Sequence, residues 1–171
     1  MSTELILQRV VPLPPAAVWR AWTDPERLKR WFCPLPWHAV EAQIDLRPGG
    51  AFRSVMQGPD GERATHTGCY LEVDAPHRLV WTTALAPGYG PASDASAVPA
   101  FTCILTFEAV EGGTRYTARA IHRDAEGAKA HAEMGFDEGW GVALDQLVAE
   151  AKGDPLAVEA KDGMKGHLAE L

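Results

Sequence analysis

Apolar and polar residues alternate in several segments of the first 122 positions, which is typical of β-strands that bury one face. The alternation predicts seven strands, at residues 4–11, 37–46, 51–57, 64–73, 78–85, 101–108 and 114–122. Short turns rich in glycine, proline and aspartate join most of them, as at 58–61, where Asp-Gly suits a tight hairpin. We therefore expect a sheet that is mostly antiparallel and apolar on one face.

Three other segments have the three- and four-residue apolar spacing of helices. Two short helices are predicted after the first strand, one beginning at Pro15 and one after Asp24, residue types that favour a helix N-terminus. A third, long helix is predicted over 124–152. It contains three glycines between positions 135 and 141, and each costs about 1 kcal/mol relative to alanine, which suggests close approach to the sheet or a kink.

The order of these elements predicts an α+β fold, in which a curved antiparallel sheet of six to seven strands wraps around one long C-terminal helix. A one-sided sheet must cover its apolar face, and only the long helix is long enough to do so. Such an arrangement leaves room for a cavity between sheet and helix, with the two short helices at one end. Residues 86–100 are rich in Gly, Pro, Ser and Ala and predict an irregular loop at its mouth.

Charge and composition narrow the possible partners. The net charge is −7, from 16 Lys and Arg against 23 Asp and Glu, and this acidic balance argues against a nucleic-acid partner. No apolar run approaches ~18 residues, so no membrane span is expected, and no secretory signal is visible. Three widely spaced cysteines indicate reduced thiols and a cytoplasmic location.

The candidate chemistry is sparse. The six histidines and three cysteines show no metal-ligand spacing, and there is no G-x-S-x-G motif. We therefore predict no catalytic set, no metal site and no cofactor. His122, at the end of the last strand, and His131, early in the long helix, could both reach one end of the cavity. The alternative interpretation is that both histidines are solvated or make a single hydrogen bond.

Several motifs together resemble one known family. They lie at 18–26, 31, 45–50, 58–61, 78–80 and 133–140. As a set they resemble the SRPBCC (START-like) superfamily, and within it the subgroup similar to the C-terminal domain of the activator of the heat-shock chaperone ATPase. The resemblance implies a cavity-bearing helix-grip domain, for which we set the bounds 1–152, followed by a tail at 153–171.

Our candidates for the cavity lining are the inward-facing strand positions, two aromatic residues of the long helix and the histidine that ends the last strand. They are Phe52, Ser54, Met56, Cys69, Leu71, Trp81, Cys103, Leu105, Tyr116, Ala118, His122, Phe136 and Trp140. Most are apolar and Ser54 and Tyr116 are polar, a mixture that suits a hydrophobic or aromatic small molecule.

Three functions remain open at this point. The first is a cytoplasmic protein, monomeric or homodimeric, that binds a hydrophobic small molecule. The second is an enzyme acting on an apolar or polyketide-like substrate through His122, His131 or Tyr116. The third is a co-chaperone-like interaction protein with a chaperone as its partner. We favour the binding protein over the enzyme, because the resemblance supplies no fixed catalytic residues.

Overall fold

The computed structural model describes residues 2–93 and 96–155. Its strands are β1 (Glu4–Val11), β2 (His38–Ile44), β3 (Ala51–Gln57), β4 (Arg63–Asp74), β5 (Arg78–Thr82), β6 (Phe101–Val110) and β7 (Gly113–His122). Its helices are α1 (Pro15–Thr23), α2 (Pro25–Trp31), α3 (Ala125–Glu133) and α4 (Phe136–Ala151).

The seven strands form one antiparallel sheet in the order β1-β7-β6-β5-β4-β3-β2. Strands β2 to β7 follow one another as neighbours, and β1 closes the sheet against β7, where Leu7 pairs with Ala118. One apolar core joins the inner face of the sheet to residues of α1, α2 and α4. The predicted α+β helix-grip fold is confirmed.

The short helices form a connected pair at one end of the sheet. Pro15 begins α1, and Asp24 caps α2 because its Oδ1 accepts a hydrogen bond from the Glu26 N–H at 2.9 Å. The indole N–H of Trp31 donates to the carbonyl of Ala21 at 3.0 Å, which ties the end of α2 to α1. The aromatic residues of both helices therefore have fixed positions above the sheet.

The predicted long helix is interrupted at Gly135, which separates α3 from α4. Gly135 has φ +91°, in the left-handed region that a residue with a Cβ enters at a cost. An added Cβ would meet no atom within 4 Å, so backbone conformation alone favours glycine here. The glycines suggested a kink, and α3, which precedes this break, contacts β1 and β7.

Asp154 packs the end of the described chain against the short helices. Its carboxylate is fully buried, with Arg27 Nε at 3.6 Å and Arg20 Nη1 at 3.7 Å. These contacts lie at the start of the predicted tail, and residues 156–171 of that tail lie outside the described residues.

Candidate functional site

A cavity of about 590 Å³ lies between the inner face of the sheet and helices α2 and α4. Its lining includes residues of the connection between β5 and β6, among them Thr83 and Val98. Eight of its 24 described lining residues are aromatic. The aromatic lining residues are Trp22, Trp31, Phe32, Trp81, Phe101, Tyr116, Phe136 and Trp140.

Trp81 is at the centre of this wall. It pairs with Tyr70 of β4 on one side and with Cys103 of β6 on the other, so all three side chains point to the inner face. Its ring stacks at 14° on Trp140 of α4, with centroids 6.4 Å apart. It also meets Phe101 edge-on at 5.4 Å. The sheet and α4 therefore meet through stacked aromatic rings beside the cavity.

His66 brings a polar group into this aromatic wall. It pairs with Ser54 across β3 and β4, and its ring lies 4.8 Å from Phe52 and 5.1 Å from Trp81. Both ring nitrogens are buried, and neither has a hydrogen-bond partner among the residues described. Burial lowers the pKa of His66 to about 4, so the imidazole is neutral at physiological pH.

His131 lines the cavity from α3 and is held from behind by His122. The Nε2 atom of His122 lies 2.8 Å from Nδ1 of His131, and Nδ1 of His122 lies 3.0 Å from the carbonyl oxygen of Thr3. Both side chains are buried. Burial, with a contribution from His122, lowers the pKa of His131, so this imidazole is also neutral near pH 7.

The other titratable groups of the lining are neutral as well. Burial raises the pKa of Tyr116 far above its ordinary range, with a smaller contribution from Cys103. Burial also raises the pKa of Cys33 to about 11, which leaves it a protonated thiol. Among the residues described as lining the cavity there is no Asp, Glu, Lys or Arg. The surface is therefore apolar, with a few uncharged polar groups.

The structure divides the predicted lining residues into two groups. Five of them line the cavity: Met56, Trp81, Tyr116, Phe136 and Trp140. Eight do not, and these are Phe52, Ser54, Cys69, Leu71, Cys103, Leu105, Ala118 and His122. In the second group, Phe52, Cys103, Leu105 and Ala118 fill the packed core. Ser54 is fully buried beside them, and His122 supports His131 from behind.

The predicted inward phase of β4 is wrong at Cys69 and Leu71. Tyr70 is the core residue there, stacked at 22° on Phe52, and adjacent residues of a strand point to opposite faces. Cys69 therefore lies on the outer face, although it is buried. A β-bulge between Tyr70 and Glu72 then places Leu71 outside the regular pairing.

Sequence reasoning missed several lining residues. His66 is the most informative, since it lies in the same phase of β4 as Ala64, which also lines the cavity. The wrong choice of phase in β4 concealed both. Trp31 ends α2 and Phe32 follows it, and their position over the cavity depends on how α2 packs.

Two further observations concern metal binding and membrane-spanning helices. Within residues 2–93 and 96–155, no group of three His, Cys, Asp or Glu side chains could hold a metal ion. In that same part of the chain, no helix has the length and apolar character needed to cross a membrane.

Comparisons with known proteins agree with this architecture. Residues 12–152 match a family model described as Activator of Hsp90 ATPase homolog 1-like protein. A solved structure of a Nitrosomonas europaea protein is 44% identical, with a TM-score of 0.82, and the match covers 88% of this chain and 94% of that one. A Mycobacterium smegmatis protein is 30% identical, with a TM-score of 0.72 and coverage of 86% and 90%.

A more distant structure, an AHSA1-like protein from Aeromonas hydrophila, is 24% identical, with a TM-score of 0.68 and coverage of 90% and 94%. At that identity the likeness supports the fold alone. Among proteins with curated descriptions, none matches this sequence significantly.

Proposed function

This chain belongs to the family of Activator of Hsp90 ATPase homolog 1-like proteins, and within that family we propose that it is a cytoplasmic protein that binds an apolar or aromatic small molecule. The observation that carries the proposal is the cavity of about 590 Å³ between the sheet and α4. The three free cysteines support the cytoplasmic location, because such thiols persist under reducing conditions.

The size and chemistry of the cavity support binding of a small molecule. Ligand sites typically enclose roughly 300–1,000 Å³ and are lined mainly by hydrophobic and aromatic side chains with a few polar groups. Here Trp81 and Trp140 supply flat apolar surface, while His66 and His131 supply the polar groups. Met56, a flexible side chain that adapts to irregular shapes, completes the wall on β3.

The same groups are poorly suited to acid–base catalysis, which is the alternative that we considered. A general acid or base works best when its pKa lies near the working pH. The lowered pKa of His131 makes it a weak base, and the raised pKa of Tyr116 makes it a weak acid. The neutral cavity therefore favours a binding protein over an enzyme.

A second candidate function is an interaction with a chaperone, and the description of the matching family favours it. It predicts that the purified protein stimulates ATP hydrolysis by purified Hsp90. An unchanged hydrolysis rate at saturating protein would exclude this second function and would leave the proposal of ligand binding intact.

The primary proposal is tested by titrating the protein with pyrene, a flat uncharged aromatic probe whose vibronic band ratio reports the polarity of its surroundings. We expect saturation at one pyrene per chain, with a band ratio typical of an apolar solvent. Emission that keeps the ratio of pyrene in water throughout the titration would exclude binding in the cavity.

A further inference from the structure

His131 and His66 belong to one row of rings along the cavity wall. Ring centroids are 5.1 Å apart from His66 to Trp81, 5.4 Å from Trp81 to Phe101 and 4.9 Å from Phe101 to His131. All four side chains line the cavity. A flat molecule that lies against Trp81 and Phe101 therefore has one imidazole near each end.

The proton positions on the His131 side follow from the partners. The carbonyl oxygen of Thr3 can only accept a hydrogen bond, so Nδ1 of His122 must carry a proton. When His122 is neutral, its other nitrogen is an acceptor, so Nε2 of His122 accepts from Nδ1–H of His131. By the same rule, Nε2 of His131 is unprotonated and is an acceptor.

This nitrogen is the polar atom of His131 that a molecule in the cavity can use, since Nδ1 is already bonded to His122. A ligand atom that meets it must donate a hydrogen bond. A hydroxyl group does so, whereas an ether or a carbonyl oxygen would place a second lone pair against the first.

His66 adds a less selective group at the other end of the row. Either tautomer leaves one N–H and one lone pair buried without a described partner, which is costly in an apolar wall. A turn of the ring that brings one of these nitrogens to the cavity surface would let it donate to one ligand oxygen or accept from another. This ring requires only that the ligand group beside it be polar and uncharged.

The absence of charge in the described lining sets a third requirement. An ionised carboxylate or ammonium group would lose its water without meeting an opposite charge. An uncharged ligand carries no such cost.

Building on the proposed function, we propose that the cavity selects an uncharged, largely apolar molecule with a hydroxyl group that donates a hydrogen bond to Nε2 of His131, while His66 meets a second neutral polar group. The supporting features are the fixed acceptor on α3, the unpartnered imidazole on β4 and the neutral aromatic surface between them.

Three probes built on the same ring system test the proposal on the unmodified protein: 1-hydroxypyrene, 1-methoxypyrene and pyrene-1-carboxylate. We expect the hydroxyl compound to bind about tenfold more tightly than the methoxy compound, as for one hydrogen bond. We expect the carboxylate to bind at least about 100-fold more weakly than the hydroxyl compound, because its charge is buried unpaired.

Variants assign the effect to a residue. In His131→Phe the preference for hydroxyl over methoxy should fall to about onefold, whereas His66→Phe and the exposed control His38→Phe should keep it. If His131→Phe fails to fold, the ¹⁵N shift of His131 Nε2 in the unmodified protein serves instead. It should move with 1-hydroxypyrene and stay unchanged with 1-methoxypyrene.

The outcomes separate this proposal from the one that it rests on. Equal affinity for the hydroxyl and methoxy probes, or a preference that disappears in His66→Phe and not in His131→Phe, would overturn the hydroxyl assignment while the binding function stands. Failure of all three probes and of pyrene itself to bind would overturn both.

Discussion

The Nε2 atom of His122 lies 2.8 Å from the Nδ1 atom of His131, and this contact joins the end of strand β7 to helix α3. Because His122 is bonded in turn to the carbonyl oxygen of Thr3, one line of hydrogen bonds runs from the N-terminal segment to the cavity wall. The orientation of an imidazole that lines the cavity is therefore set by the backbone just before β1, the strand next to β7.

This arrangement makes a spectroscopic prediction. At about pH 8, where neutral histidine dominates, long-range ¹H–¹⁵N correlation spectra should show His122 and His131 both protonated at Nδ1 and bare at Nε2. A spectrum with the His131 proton at Nε2 would contradict the direction of the hydrogen bonds. Exposed His38 provides the reference signal of an unconstrained ring.

Acid should destabilise the protein partly through His66. Its pKa is about 4 when folded and about 6.5 when unfolded, so the unfolded chain binds more protons between these values, and stability falls as the pH falls through that window. Between about pH 7 and pH 5, His66 should account for a loss of about 2 kcal/mol in the free energy of unfolding.

The variant His66→Phe tests this assignment by urea unfolding at both pH values. The aromatic replacement should lose that part of the pH dependence and gain about 1 kcal/mol at neutral pH, because two unpartnered nitrogens are removed from the wall. His38→Phe, at the exposed start of β2, is the control for replacing a histidine by phenylalanine outside the cavity. An unchanged slope in His66→Phe would refute the assignment.

Local periodicity predicts this sheet well and its cavity less well. Buried and less buried positions alternate regularly over 101–107 and 114–122, so Leu105, Ala118 and their neighbours were assigned to the correct face. In β4 the residue next to the true inward position, Cys69, is also apolar and buried. Alternation there could not distinguish the two faces, and the bulge at Leu71 shifts the phase again.

The site residues that the sequence did not predict correctly depend on tertiary packing. His66 is a polar residue in an inward phase, and a pattern that assigns polar residues to solvent excludes it. His122 was expected at the cavity, but it lies behind His131, a relationship decided by the break at Gly135 and the angle of α3. No spacing along the chain carries that information.

Glycine should be required at position 135, which precedes α4, but not at position 139, which lies within α4. Gly135→Ala places a Cβ on a backbone with φ +91° and should cost about 1 kcal/mol of unfolding free energy. In Gly139→Ala the new Cβ would lie 3.9 Å from Pro34, an ordinary contact, and helix propensity should add up to about 1 kcal/mol of stability. Chemical denaturation measures both, and equal effects would contradict this account.

Cys33 should report on occupancy of the cavity. Its thiol lines the cavity, and its pKa of about 11 implies that the rate of alkylation by iodoacetamide at neutral pH is about 100-fold below that of the unfolded chain. Saturating pyrene should slow the reaction further. Cys69 and Cys103 are fully buried and should react only on unfolding, so mass spectrometry can follow Cys33 alone. Alkylation that pyrene leaves unchanged would place the probe elsewhere.

The most direct test of the binding function is to fill the cavity from α4. Ala143 lines it, whereas the preceding residue, Val142, is exposed and does not. Pyrene titrations of Ala143→Phe and Val142→Phe, both checked for folding by circular dichroism, compare a phenylalanine at two neighbouring positions of one helix, one facing the cavity and one facing solvent. We predict that Ala143→Phe weakens binding at least about tenfold and that Val142→Phe binds as the unmodified protein does. Equal affinity in both variants would contradict the claim that the ligand occupies this cavity.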